Sequence, residues 1–420
     1  MPVGNNFQHS AYLRSDPGDR LTYRDLQTGA APESPAWLDE MARFGGQLST
    51  AGVRAVLFFH GTFLGSDLFG AQRLDEMGGL KRGYSRGIPG MEALLALMRQ
   101  DTNGLPAFRE RRRPPFADDE QTRKLIDEQA GDAGNFSETY VTRFRDAVNR
   151  KATRPMTCTR MLWSSEHHHL GRALAAWRLI EQVRQLCAQE KLGKGDRILV
   201  QAHGHAGQVL ALVSNLLAPV ESSGRESFFR IMTPVGGNVE GGPGLHQMEA
   251  QIMTGTLLNG ASLDVVTFGT PVRYGWDPSG IGKLLHVVNH RPMRPDGKRW
   301  LAKMELPQIT MEMPIAWGGD YVQQLAVAGS DAATPTSPEG QAANKALWEL
   351  LEPYDGFEKW LEFSRKCVRC PEDGQCLLVD YKDSTGSSNP RDHLYGHAAY
   401  TRLDHLLFNT IEIVQTLYKE

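Results

Sequence analysis

Short apolar runs, each stopped by glycine or a polar cluster, recur along this chain and alternate with longer stretches of helical spacing. The first strong run, Val53 to Phe59 (VRAVLFF), is β-branched and aromatic and ends at His60-Gly61-Thr62, which predicts a buried strand. Met156 to Trp163, Ile198 to Val200, Leu263 to Phe268, Leu284 to Val288 and Cys376 to Tyr381 predict further strands. Gly171 to Glu190 carries Leu179, Ile180, Val183, Leu186 and Cys187 at helical spacing. Val209 to Leu217 and Arg402 to Tyr418 predict two more helices, and Trp37 to Phe44 one helix in an otherwise polar lead-in over residues 1–50. Strands alternating with helices predict an α/β fold: a doubly wound, mostly parallel sheet flanked by helices.

Residues 64–155 contain helical pieces (Gly90 to Arg99, Asp118 to Gln129, Ser137 to Arg150) broken by Gly/Pro-rich loops. That is too long for one connection and predicts an inserted cap or lid. Residues 219–260 and about 292–345 read as further insertions, the second ending in an exposed loop over 329–343. Residues 51–420 are thus expected to form one domain carrying three insertions.

Composition narrows the function classes. The chain has 420 residues, 23% of them charged, and a formal net charge of -3. It can bury a large core, and no face is obliged to be basic, which argues against nucleic acid as a partner. The basic run at Arg109, Arg111, Arg112 and Arg113 meets Pro114, Pro115 and the acidic Asp118, Asp119 and Glu120, and reads as a solvated loop. The N-terminus lacks an apolar secretory core and no stretch is long enough for a membrane span, so the expectation is a soluble cytoplasmic protein. Five cysteines do not suggest a disulfide scaffold.

Every predicted strand ends in polar or glycine-rich residues: HGTF, WSSEHHH, AHGHAG, FGTP, NHRP and YKDS. In parallel sheets chemistry gathers at the carboxyl ends of the strands, so these segments are expected to share one rim. The order of His60-Gly61-Thr62-Phe63, Ala202 to Gly207 (AHGHAG), Gly269-Thr270-Pro271 and the late Gly396-His397-Ala398-Ala399-Tyr400 resembles the α/β-hydrolase superfamily, in particular its lipase and esterase branch. The resemblance runs from about Val53 to Tyr418 outside the insertions. It implies the α/β-hydrolase fold with helical cap or lid insertions, a carboxylic-ester hydrolase lineage, a small-molecule ester or lipid ligand, and no cofactor.

In that superfamily a serine nucleophile sits at the centre of a small-x-Ser-x-small turn between strand and helix. Here the small flanks are kept and Gly204 holds the centre. A frame centred on His205 would put His203 where a small residue is required. The resemblance further implies that His60, Gly61, Thr62 and Phe63 contribute a backbone N–H to an oxyanion hole, completed by the N–H of His205, with His203 bordering the pocket. His397 falls in the slot of the base. Asp320, between two glycines and Tyr321, is favoured as the acid, with Asp331 and Asp296 as alternatives. An elbow without a hydroxyl leaves three readings. The chain is an inactive or weakly active hydrolase relative in which water, with His397 as base, supplies residual hydrolysis. Or it is a non-enzymatic ligand-binding relative. Or it is an acid/base enzyme using His203, His205 and His397.

Other clusters read more plainly. Three consecutive histidines, His167, His168 and His169, point in different directions and suggest a polar rim loop pinned by Arg172 rather than a metal site. Cys367, Cys370 and Cys376 resemble half of a zinc knuckle without a fourth ligand, with a redox pair or free thiols as alternatives. Most of the aromatic cluster around Phe58, Phe59, Phe63, Leu64, Leu68 and Phe69 reads as core.

Overall fold

The computed structural model describes residues 7, 21–61, 118–219, 222–236, 245–291, 316, 318–325, 335–351, 370–382 and 393–419. Thr62, Phe63, Asp296, Asp331 and Cys367, and the insertion segment 62–117, lie outside the described residues.

Seven strands form one sheet: β1 (Leu21–Asp25), β2 (Val53–Phe59), β3 (Thr157–Met161), β4 (Arg197–His203), β5 (Ser262–Phe268), β6 (Leu284–Asn289) and β7 (Gln375–Asp380). Their order is β1-β7-β6-β5-β4-β2-β3 and every pairing is parallel. The predicted α/β class with a doubly wound parallel sheet is observed. From β2 the chain steps outward to β3, then crosses back past β2 to β4. The strand order therefore reverses between β2 and β4, and in open α/β sheets such a switch point is where the ends of two strands leave a crevice.

The strands alternate their apolar residues between two helical layers. In β2, Ala55, Leu57 and Phe59 join one core while Val56 and Phe58 join the other. The pairing of β2 with β4 shifts register between Val53 and Ala55, and Val53 packs with Val56 and Phe58. One layer contains α1 (Pro35–Thr50), α3 (Glu138–Val148) and α10 (Leu406–Leu417). The other contains α4 (His169–Gln189), α5 (Ala206–Leu217), α6 (Ser223–Gly236), α7 (Leu245–Met253) and α9 (Pro338–Leu351). Among the described residues two further helices are α2 (Glu120–Ala130), beside β3, and the short α8 (Tyr321–Leu325), on the rim. Helix starts follow their caps: Ser34 accepts from Trp37 N with Pro35 behind it, Asp119 accepts from Thr122 N, and Ser137 from Tyr140 N.

Several sequence expectations shift. Residues 21–25 are not a bare lead-in: they add an edge strand along β7. The helix expected over Trp37 to Phe44 spans Pro35–Thr50, because Trp37, Met41, Phe44 and Leu48 continue one apolar stripe. Residues 138–148 do not stand above the sheet as a cap. Tyr140, Val141, Phe144, Ala147 and Val148 are buried against it, with Phe144 edge-on to Phe58 at 5.2 Å. The segment 219–260 carries α6 and α7, which pack Phe228, Phe229, Met232, Met248 and Ile252 into the core. Pro338 opens α9 within the stretch expected as loop. The helix expected from Arg402 begins at Leu406, after short 3-10 turns over Ala399–Thr401 and Leu403–His405. Among the described residues no helix is long and apolar enough to cross a membrane.

Candidate functional site

The site grows from strand register. Phe59 pairs with Ala202, and His203 with Phe268. One step further, Gly61, Gly204 and Gly269 line up across the sheet's carboxyl rim at the switch point. At Gly204 the backbone turns from strand into helix within three residues, with φ at +54°. A glycine reaches this left-handed region without penalty, whereas an L-residue there costs about 1–2 kcal/mol. The turn is fastened on both sides: Gly204 N–H donates to Phe268 O at 2.8 Å, and Thr270 Oγ1 donates to Gly204 O at 2.8 Å.

His397 faces this turn from the C-terminal loop. A Cβ placed on Gly204 would stand 2.8 Å from His397 Nε2 and 3.4 Å from its Cε1, with Gly61 Cα at 3.7 Å. The other ring nitrogen, Nδ1, lies 2.7 Å from Asp320 Oδ2. With Nδ1–H donating to a carboxylate, the Nε2 lone pair is left to point at position 204. Asp320 is itself held: Tyr400 OH donates to Oδ2 at 2.7 Å and Gln323 N–H to Oδ1 at 2.8 Å. Its turn returns to the rim through an isolated bridge between Gly319 and His290 and through Asp320 N–H to Asn289 O at 3.0 Å. Asn289 also donates from Nδ2 to Gly396 O (2.9 Å) and from its N–H to Tyr400 OH (2.7 Å). The end of β6 therefore anchors the acid and the histidine loop together. Asn289, Gln323 and Tyr400 were not singled out from sequence; only Tyr400, three residues after His397 in GHAAY, carried a signal.

The surrounding histidines are buried and neutral. His203 donates from Nε2 to His397 O at 2.9 Å and lies with its ring 4.2 Å from that of His397; burial, then the His397 charge, holds its pKa well below the usual imidazole value. His205 stacks on His167 at 5.1 Å, and burial lowers its pKa strongly too. Among the described residues its backbone N–H, at the start of α5, has no partner. His60 turns away from the elbow. Its Nε2 accepts from Trp163 N–H at 3.1 Å and its carbonyl from Trp163 Nε1 at 3.0 Å, tying β2 to β3; burial brings its pKa down to about 3.

The sequence trio Gly204, His397 and Asp320 is thus brought together, in the chain order elbow, acid, histidine. All three are buried, Asp320 to 1% exposure and His397 to 4%. A histidine held this way can accept a proton from a hydroxyl or water placed over Gly204. The other clusters diverge. His168 Nδ1 caps α4 by accepting from Gly171 N–H, while His169 and Arg172 converge on Tyr274 OH instead of the rim loop. Cys370 and Cys376 are joined in a disulfide, so as half-cystines they are not thiolate ligands for zinc. No group of three or more His, Cys, Asp or Glu among the described residues is arranged to hold a metal. The chain matches no known protein family, no curated protein and no solved structure.

Proposed function

We propose that this chain is an α/β-hydrolase-type protein of carboxylic-ester hydrolase lineage whose elbow has lost its nucleophile. The observation that carries the reading is the placement of Gly204 within 2.8 Å, measured from a Cβ on it, of an imidazole nitrogen whose partner nitrogen meets a buried carboxylate. The chain order and the N–H of His205 at a helix N-terminus, without a partner among the described residues, fit the same reading, because such an N–H is pre-positioned for developing negative charge. With no hydroxyl, no acyl-enzyme forms. Any hydrolysis uses water directly: its oxygen bonds to the ester carbonyl carbon while Nε2 takes its proton, and the departing alkoxide recovers that proton from Nε2. Ligands of this site are small-molecule or lipid esters.

The test is Gly204→Ser with Gly204→Ala as control, assayed on short-chain nitrophenyl esters. Removing a serine nucleophile costs about 10⁶-fold in well-built hydrolases, so even a partly restored site should raise turnover at least about 100-fold. The His397 ring must retreat by a few tenths of an ångström to admit the new Cβ, and Gly204→Ala should gain nothing. Equal activity in Gly204→Ser and the parent chain defeats the reading. Burial of the trio favours a second reading, a non-enzymatic ligand binder; saturable binding of a fatty-acyl ester without turnover in either variant supports it.

A further inference from the structure

His203, the residue before the elbow glycine, is buried to 2% exposure and uses only one of its ring nitrogens. Nε2 lies 2.9 Å from the carbonyl oxygen of His397, and a carbonyl only accepts, so Nε2 carries the proton. Burial keeps the ring neutral, which leaves a lone pair on Nδ1, and among the described residues Nδ1 has no hydrogen-bond partner. A phenyl ring would fill the same space without stranding a buried acceptor. What the imidazole adds is its one hydrogen bond, and that bond ends on the backbone of the residue that carries the candidate base.

The ring is closely seated. A Cβ on Gly61 would stand 2.6 Å from His203 Nδ1, and one on Gly134 3.0 Å from its Cε1. Two bare positions, one after β2 and one between α2 and α3, therefore make room for it. Its centroid lies 4.2 Å from that of the His397 ring and 5.7 Å from that of Tyr400.

The loop that receives this bond is strained. Leu394 (φ +45°), Tyr395 (φ +54°) and Gly396 (φ +88°) are consecutive left-handed residues directly before His397. Such a run persists where the surroundings over-determine it. Asn289 Nδ2 holds it from β6 at Gly396 O, Thr401 Oγ1 ties its far side to Asp132 O at 2.6 Å, and His203 holds it from the elbow strand itself. The last bond joins the residue before position 204 to the residue whose Nε2 faces position 204, so it acts directly on their spacing.

We propose that His203 is a positioning residue, which sets where the His397 imidazole stands over position 204 by holding that loop from the elbow strand. The inference rests on the reading of His397 as the base, but the geometry it concerns exists without an ester.

The full chain carrying His203→Phe, His203→Asn or His203→Gln is compared with the parent by proton NMR. Gln carries its amide nitrogen as many bonds from the backbone as imidazole Nε2, Asn one bond fewer, and Phe has no donor. The readout is the low-field Nδ1–H resonance of His397, assigned by its loss in His397→Gln. It should survive in the Gln variant and move upfield or broaden away in the Phe and Asn variants, each measured where its spectrum is that of a folded chain. In the Gly204→Ser background, His203→Phe should lower kcat on a nitrophenyl ester about 10- to 100-fold with KM within about twofold, the scale of an ångström-sized displacement. A silent Gly204→Ser defeats the ester-hydrolase reading and leaves the resonance to decide this one. If either the Phe or the Asn variant fails to fold, the other carries the comparison; unfolding of both assigns the bond to the fold alone and overturns the proposal. A parent without the resonance, an unchanged resonance in the Phe and Asn variants, or its loss in the Gln variant as well overturns it too.

Discussion

Gly269 shows how tightly the site is fitted at the scale of single atoms. A Cβ there would lie 2.5 Å from Asp320 Oδ2, 2.6 Å from Tyr400 Cε2 and 3.0 Å from His397 Cε1, on a backbone already at φ +61°. None of these neighbours is the loose end of a flexible chain: Asp320 is fixed by Tyr400 and Gln323, and Tyr400 by Asn289. Gly269→Ala should therefore lower stability by about 2–4 kcal/mol, from overpacking plus backbone strain. It should also separate His397 from Asp320, which imidazole proton resonances would report. A neutral substitution would mean the loop yields freely. Gly204 and His397 were legible in the sequence because each lies in a short motif tied to a strand end or the last helix. Asp320 was harder to isolate from Asp296 and Asp331. Its position depends on a turn that folds back to Asn289 and His290, and residue spacing does not encode that contact.

At the scale of elements, α2 and α3 are held to the sheet edge by ion pairs centred on Arg160, with Glu138 of α3 at 3.8 Å from its Nη1 and hydrogen bonds around them. Arg160 on β3, 2% exposed, donates to both oxygens of Asp127 on α2 at 2.7 and 2.9 Å. Asp127 also accepts from Asn135 Nδ2 at 2.8 Å and from Glu138 N–H, at the start of α3, at 3.0 Å. Asp127→Ala leaves the buried guanidinium with the exposed Glu138 carboxylate at 3.8 Å in place of its two short hydrogen bonds, and breaking a buried pair from one side costs up to about 3–5 kcal/mol. The urea midpoint should fall accordingly, and Asp127→Ala/Arg160→Met should recover part of the loss; a change below 1 kcal/mol, a threshold typical of exposed pairs, would show the edge is held by packing alone. The same edge explains what composition could and could not reveal. Runs such as VRAVLFF and LDVVTF announce strands because both faces are buried. β1, LTYRD, is a five-residue edge strand with little apolar signal and takes its conformation from pairing with β7. Helices α6 and α7 hid in a Gly/Pro-rich stretch because their apolar faces matter only once they reach the sheet.

For the whole molecule, the strand order places four protonatable rings in the interior around one rim, and that arrangement makes stability depend on acid. His60, His203, His205 and His405 all have pKa values lowered by burial, that of His60 to about 3. In the unfolded chain each titrates near 6.5. Between that value and its folded pKa, each histidine binds a proton only when unfolded. The stability tied to these neutral rings is therefore full above pH 6.5 and is lost as pH falls toward the folded values, at about 1.4 kcal/mol per pH unit for each ring. Burial also raises the carboxyl pKa values of Asp264 and Glu412, which works in the opposite direction because the folded state then holds the proton more tightly. Four depressed imidazoles outweigh two raised carboxyls, so the urea midpoint should drop steeply between pH 7 and 5. His60→Asn, removing the ring that braces β2 to β3 through Trp163, should flatten that slope while lowering stability at pH 7.5. A midpoint that is level or rises on acidification would mean that the rim admits solvent and that these rings titrate in place.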